Sequence, residues 1–263
     1  MKRLLAWCLC LANSAAFAQV QTGWRPALLG RVGIDQKMGA QVPAAAPFLD
    51  ESGRPVTLRQ YLNKPVILAL VYYQCPSLCN MVLNGVLRSV KSLPMNAGDQ
   101  YNIVAVSFDP RETWEMAAAK KASYIKGYNR KDAEGGWHFL TGPEASSKVL
   151  ADAVGFHYAF DALSNQYAHG SAIVILTPEG RVARYFYGID YPARDVRLGL
   201  VEASDRRIGS PVDAVMLYCY HYDPSNGKYG IVIMNALRVA GFATVAALAG
   251  FMIVMFRRDF KVT

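Results

Sequence analysis

The pair Cys75 and Cys79 constrains this chain more than any other feature. It stands in Tyr72-Tyr73-Gln74-Cys75-Pro76-Ser77-Leu78-Cys79, directly after an apolar run from Val66 to Val71. Such a run reads as a buried strand. The residues that follow have helical periodicity, with Val82, Leu83, Val86, Leu87 and Val90 on one face. The two thiols therefore sit at a strand-to-helix turn. Four residues of helix rise only ~6 Å, so the sulfurs can share one metal ion or close one disulfide. A helix N-terminus also stabilises thiolate, the form that attacks disulfides and binds soft metals. Pro76 suits the first helical position, where its missing N–H costs nothing.

The two ends of the chain suggest where that turn operates. Met1-Lys2-Arg3 precedes an apolar stretch, and Ala16-Phe17-Ala18 is a small-x-small cleavage site. Residues 1–18 read as a secretory signal peptide, and Cys8 and Cys10 leave with it. Neither follows a small residue (Trp7 and Leu9 precede them), so a lipoprotein signal is not indicated. At the other end, no charged residue occurs from Val239 to Phe256, and Ile231 to Asn235 extends the apolar character. A span needs ~20 residues, and the sequence predicts a transmembrane helix over 230–256. Arg257, Arg258 and Lys261 follow it, which predicts a cytoplasmic tail at 257–263. The body is thus expected outside the cytoplasmic membrane, single-pass and facing the periplasm.

Three cysteines remain after cleavage: Cys75, Cys79 and Cys219. An odd count in an exported chain gives at least one thiol a role other than a structural bridge. Loss of Lys2 and Arg3 takes the formal charge from +8 to +6. That excess, without a basic run interleaved with aromatics, excludes nucleic acid as a partner. It suits proximity to anionic lipid or an acidic partner.

Between the ends, residues 19–47 read as an extended N-terminal arm, 48–204 as one compact domain, and 205–229 as a juxtamembrane linker. Within the domain the pattern predicts strands at Tyr101 to Phe108, Trp137 to Leu140, Ser171 to Leu176 and Val182 to Tyr187. Helices are predicted from Thr113 to about Lys126, stopped by Gly127, from Glu144 to Val154, and from about Pro192 to Ser204. Thr177-Pro178-Glu179-Gly180 is a hairpin turn signal. Alternating strands and helices with a terminal hairpin imply an α/β fold around a mixed central sheet flanked by helices. A cysteine pair at the first buried strand-to-helix turn is the thioredoxin-like arrangement.

With those residues in place the chain resembles the Sco/SenC family of membrane-anchored, thioredoxin-like proteins associated with copper delivery to cytochrome c oxidase. The matching pieces are Phe48-Leu49-Asp50-Glu51-Ser52-Gly53, Cys75-Pro76 with Cys79, Ser107-Phe108-Asp109-Pro110-Arg111-Glu112-Thr113, and His169 ahead of Thr177-Pro178-Glu179-Gly180. The resemblance implies that Cys75, Cys79 and His169 hold one copper ion per chain, as Cu(I) or Cu(II). It also implies that the copper goes to the CuA-bearing subunit of the oxidase or to a related cuproenzyme. The sequence departs from the family pattern in Asn80, where many members have proline, in Glu112, where aspartate is common, and in a C-terminal anchor. The last looks like a bacterial subgroup. Donor chemistry agrees: two thiolates favour Cu(I), and an added imidazole gives a trigonal site that also accommodates Cu(II). Structural zinc wants four ligands, and three are evident.

Other readings compete. A membrane-tethered thiol–disulfide reductase, keeping the target's metal-binding cysteines reduced and served by its own thiol–disulfide reductants, needs only Cys75 and Cys79 as a redox-active dithiol. A thiol peroxidase would need a polarising hydroxyl and cation, and Tyr73-Gln74 does not supply the threonine expected there. A scaffold with an inert disulfide is the third alternative. Asp109 reads equally as an orienter of the ligands and as a turn residue before Pro110. Cys219 and His221 form a Cys-x-His pair beside the expected span. They suggest an accessory copper site or, more simply, an interfacial aromatic segment among Tyr218, Tyr220 and Tyr222. His138 and His157 read as structural.

Overall fold

The computed structural model describes residues 29–130 and 133–206, with short pieces at 222–223, 228–229, 238–239, 241–246 and 248–253. In chain order the strands are β1 (Gly33–Ile34), β2 (Pro47–Leu49), β3 (Pro55–Thr57), β4 (Val66–Val71), β5 (Asn102–Ser107), β6 (Trp137–Leu140), β7 (Phe156–Asp161), β8 (Gln166–His169), β9 (Ala172–Leu176) and β10 (Val182–Tyr187). The helices are α1 (Leu78–Lys91), α2 (Trp114–Tyr128), α3 (Glu144–Ala153) and α4 (Ala193–Ser204).

A five-stranded sheet in the order β10-β9-β4-β5-β6 forms the centre. Strands β4, β5 and β6 run parallel, whereas β9 is antiparallel to β4 and β10 to β9. Every residue of β4, β5 and β9 is buried, which is why these strands are continuous apolar runs rather than alternating ones. Helix α1 packs against both α2 and α4, α2 also meets β6, and α4 meets β9 and β10. The periodic face of α1 is buried at Val82, Leu83, Val86 and Val90, and Leu87 packs at its margin. The core thus places the start of α1 at the C-terminal end of β4.

Three local outcomes differ from the sequence reading. Helix α2 runs through Gly127 to Tyr128 and ends at Asn129, which is left-handed (φ 50°) and returns its N–H to the Ile125 carbonyl at 3.0 Å. Gly127 serves packing instead: a Cβ there would lie 2.9 Å from Leu87 Cδ2 of α1. Strands β7 and β8 form a hairpin that the sequence did not announce, paired antiparallel from Tyr158↔His169 to Asp161↔Gln166. Its turn has no glycine or proline. The Asp161 carboxylate holds it by accepting from the Leu163 N–H (3.0 Å) and the Ser164 hydroxyl (2.7 Å), with Asn165 left-handed.

The third concerns the expected arm, whose second half belongs to the folded body. β1 pairs with β7, Gln41 bridges Arg181, and Val42 is buried. Two-residue strands carry no readable period, so this packing could not be seen in the sequence.

The expected signal peptide, the tail at 257–263, Cys219 and His221 lie outside the described residues. The expected linker is described only at its start and where Tyr222–Asp223 pairs antiparallel with Lys228–Tyr229. Of the expected span, the described pieces are helical and expose Val239, Phe242, Val245, Leu248 and Phe251. Among the described residues no helix is long and apolar enough to cross a membrane.

Candidate metal centre

The thiols owe their position to the turn between β4 and α1. Cys75 lies in the connecting loop and Cys79 in the first turn of α1; both are buried and free. Each sulfur accepts a backbone amide. The Cys79 N–H points at Cys75 Sγ (3.4 Å), and the Tyr72 N–H points at Cys79 Sγ (3.3 Å).

His169 arrives from the other side, as the last residue of β8 in the hairpin. Its Nδ1 lies 2.7 Å from the Gly170 carbonyl, which can only accept, so Nδ1 carries the proton. That leaves Nε2 bare and 3.2 Å from Cys79 Sγ. Phe108 (5.4 Å between ring centroids), Phe156 (5.9 Å) and Tyr72 (6.1 Å) wall the imidazole. The donor atoms of Cys75, Cys79 and His169 all lie within 4.8 Å of one another.

The site's electrostatics separate the two sulfurs. Burial works against ionising Cys75, but the amides of Cys79 and Ser77 and the Tyr72 hydroxyl outweigh it and bring that thiol below its ordinary range. Burial dominates at Cys79, and its thiol lies well above the ordinary value despite the Tyr72 amide; the adjacent Cys75 adds to the rise. Burial also lowers the His169 pKa, against the opposing pull of the Gly170 carbonyl. The imidazole is therefore neutral at physiological pH, the form that binds metals.

The donor set suits a soft, three-coordinate ion. Metal–sulfur bonds of about 2.3 Å and metal–nitrogen bonds of about 2.0 Å in a trigonal plane put donors roughly 3.7–4 Å apart. The observed cluster brackets that spacing, with the Cys79–His169 contact on the short side, as suits a hydrogen bond that a metal would replace. The same two thiols can instead exchange with a disulfide.

Asp109 does not reach the sulfurs. Its carboxylate grips Arg111, with Nη2 at 2.6 Å and Nε at 2.8 Å, and the guanidinium lies over the rings of Phe160 (5.1 Å) and Tyr167 (5.7 Å) in the hairpin that carries His169. Glu112, which sequence reasoning passed over, does reach the cysteine loop. It accepts from the Tyr73 N–H (2.7 Å), the Gln74 N–H (2.6 Å) and the Ser107 hydroxyl (2.6 Å). Beyond its place in the family-like piece Ser107 to Thr113, its local signal is a carboxylate just before a helix cap, which predicts exposure. His138 packs its ring, tilted by 37°, against Tyr61 with centroids 4.2 Å apart, and His157 pairs with Asp35 at 2.9 Å, both away from the centre.

Comparison with solved structures agrees with this architecture. A protein from Aquifex aeolicus VF5 matches with a TM-score of 0.58 and 24% identity, over 67% of this chain and 98% of the other. A SCO1/SenC family lipoprotein from Bacillus anthracis str. Ames matches with a TM-score of 0.52 and 18% identity, over 64% and 98%. Arabidopsis thaliana ScoI with copper bound matches at 0.49 and 19%, over 61% and 96%. No sequence among the curated proteins matches. The first two likenesses show the fold, a mixed α/β, thioredoxin-like one. The SCO1/SenC family model matches residues 36–197, well over half of the chain and the whole segment that carries Cys75, Cys79 and His169, and the chain belongs to that family.

Proposed function

We propose that this protein is a copper-binding assembly factor that delivers copper to the CuA site of cytochrome c oxidase or of a related cuproenzyme. The observation that carries the reading is the convergence of Cys75 Sγ, Cys79 Sγ and the unprotonated Nε2 of His169 within 4.8 Å, brought together from the β4–α1 turn and the end of β8. Copper is the cargo. Two thiolates hold it as Cu(I), and the imidazole lets the same site hold Cu(II). A site open to both states can load and release. Membership of the SCO1/SenC family supports the client assignment.

Residues 230–256 would tether the domain to the inner membrane, with the body in the periplasm. Protease added to spheroplasts should then digest the domain, and full protection would overturn that topology.

A second reading is favoured by the unequal thiols. Cys75 is the readier thiolate and Cys79 the less acidic partner. In a reductase, Cys75 would attack a disulfide in the target to form a mixed disulfide, expelling one target thiolate. Cys79 would then displace the second target thiolate and close Cys75–Cys79, so the target gains the two electrons that the dithiol loses.

Oxidase activity in strains carrying His169→Ala, Cys75→Ala and Cys79→Ala, at low and high copper, separates the two. Delivery predicts that His169→Ala loses nearly as much activity as the cysteine variants at low copper, with partial rescue by added copper. Wild-type activity for His169→Ala at low copper would sink the delivery reading and leave the reductive one.

A further inference from the structure

Glu112 is a buried carboxylate with no ion-pair partner among the described residues. Burying an unpaired carboxylate is costly, and burial pushes its pKa up despite its three hydrogen bonds. What an ionised carboxylate offers here is two oxygens that only accept. Three donors converge on it: Tyr73 N–H and Ser107 Oγ–H on Oε2, and Gln74 N–H on Oε1. A glutamine would turn an NH₂ towards a donor and leave either the buried Tyr73 N–H or the part-buried Gln74 N–H without its acceptor.

A second contact holds the same loop from its other flank. Lys120 Nζ donates to Asn80 Oδ1 (2.8 Å), and Asn80 Nδ2 donates to the Cys75 carbonyl (2.9 Å). The chain just before Cys75, at the Tyr73 and Gln74 amides, and the Cys75 carbonyl just after its side chain are thus tied to one segment, the turn and helix from Glu112 to Lys120. Neither tie touches a sulfur or His169.

We infer that Glu112, assisted by the Lys120–Asn80 pair, is a positioning residue that fixes Cys75 relative to Cys79 and His169. It thereby sets both the metal affinity of the centre and the redox equilibrium of its dithiol. The inference rests on the proposed use of these residues as a metal or redox centre. Loss of groups that orient metal ligands costs roughly 10–100-fold in affinity.

The test uses the full chain in detergent, with Cu(I) affinity read by competition against a chromophoric chelator. Glu112→Gln should lose roughly 10–100-fold, and Glu112→Asp, which keeps two acceptors on a shorter arm, should recover part of it. Lys120→Met should lose less. Ser107→Ala is the control: it removes one bond to the carboxylate without freeing the cysteine loop, and should keep wild-type affinity whatever it costs in stability. Amide hydrogen exchange at Gln74 should accelerate in Glu112→Gln and not in Ser107→Ala.

The dithiol supplies an independent arm. In the reaction Cys75-SH + Cys79-SH + GSSG → Cys75–S–S–Cys79 + 2 GSH, Glu112→Gln should move the equilibrium constant by about tenfold or more. If the wild-type chain binds no copper, the metal reading fails and this arm alone decides the positioning claim. Affinity and redox constant within about threefold of wild type in Glu112→Gln, or losses matched by Ser107→Ala, would overturn it.

Discussion

Replacing His169 by phenylalanine separates its two contributions, packing and ligation. The imidazole fills a pocket walled by Phe108, Phe156 and Tyr72. Truncation to alanine would leave a void among those rings, at a cost of about 2–4 kcal/mol. A phenyl ring refills the space. It forfeits the Nδ1–H bond to the Gly170 carbonyl and the weaker Cys79 thiol bond at Nε2, each worth about 1 kcal/mol or less, and adds slight bulk. His169→Phe should therefore unfold within about 1–2 kcal/mol of wild type, whereas His169→Ala should not. For the metal both are equivalent, because neither carries a donor atom. Losing a group that merely orients a ligand costs roughly 10–100-fold, so losing a ligand should cost at least about 100-fold, or about 3 kcal/mol. Denaturant unfolding of the metal-free chain gives the first quantity and Cu(I) competition the second. A His169→Phe chain that folds well and binds copper within about tenfold of wild type would refute the assignment of Nε2 as a donor.

Two further perturbations test the scaffold. A methyl group on Gly85 of α1 would lie 2.2 Å from the Ile189 backbone oxygen, so Gly85→Ala must displace either α1, which carries Cys79, or the loop that Arg88 holds at the same oxygen. Thermal unfolding should show a loss of about 1–3 kcal/mol, and an unchanged transition would mean that the loop yields freely. His138 is held neutral chiefly by burial, its pKa lowered from 6.5 to about 4. Its unfolded form takes up a proton first as pH falls, so stability is full above about pH 6.5 and declines towards about pH 4, by about 3 kcal/mol in total. His138→Phe, which keeps a ring on Tyr61, should flatten that part of the pH profile; an unchanged slope would place the acid sensitivity elsewhere.

What the sequence could reveal follows from how far each signal travels along the chain. The apolar runs of β4, β5 and β9 and the periodic face of α1 are local, long enough to read, and their elements lie where the pattern places them. The hairpin of β7 and β8 was not legible, because its turn is made by the Asp161 carboxylate rather than by glycine or proline. As a result His169, read as a residue just before a strand, closes a strand of its own. The cysteine pair is local chemistry and could be seen at once. Glu112 could not, because its three hydrogen bonds run to residues up to thirty-nine positions away and nothing in Arg111-Glu112-Thr113 marks it as buried. Asp109, the more conspicuous carboxylate, holds Arg111 against the hairpin instead.

X-ray absorption at the copper edge of the full chain loaded with one equivalent of Cu(II) tests the central claim most directly. A trigonal centre of Cys75, Cys79 and His169 predicts one tightly held copper with two sulfur donors and a nitrogen donor of imidazole type. One sulfur should disappear in Cys79→Ala, and the imidazole scattering in His169→Phe. Copper bound through nitrogen and oxygen alone, or a sulfur count unchanged by Cys79→Ala, would contradict the account.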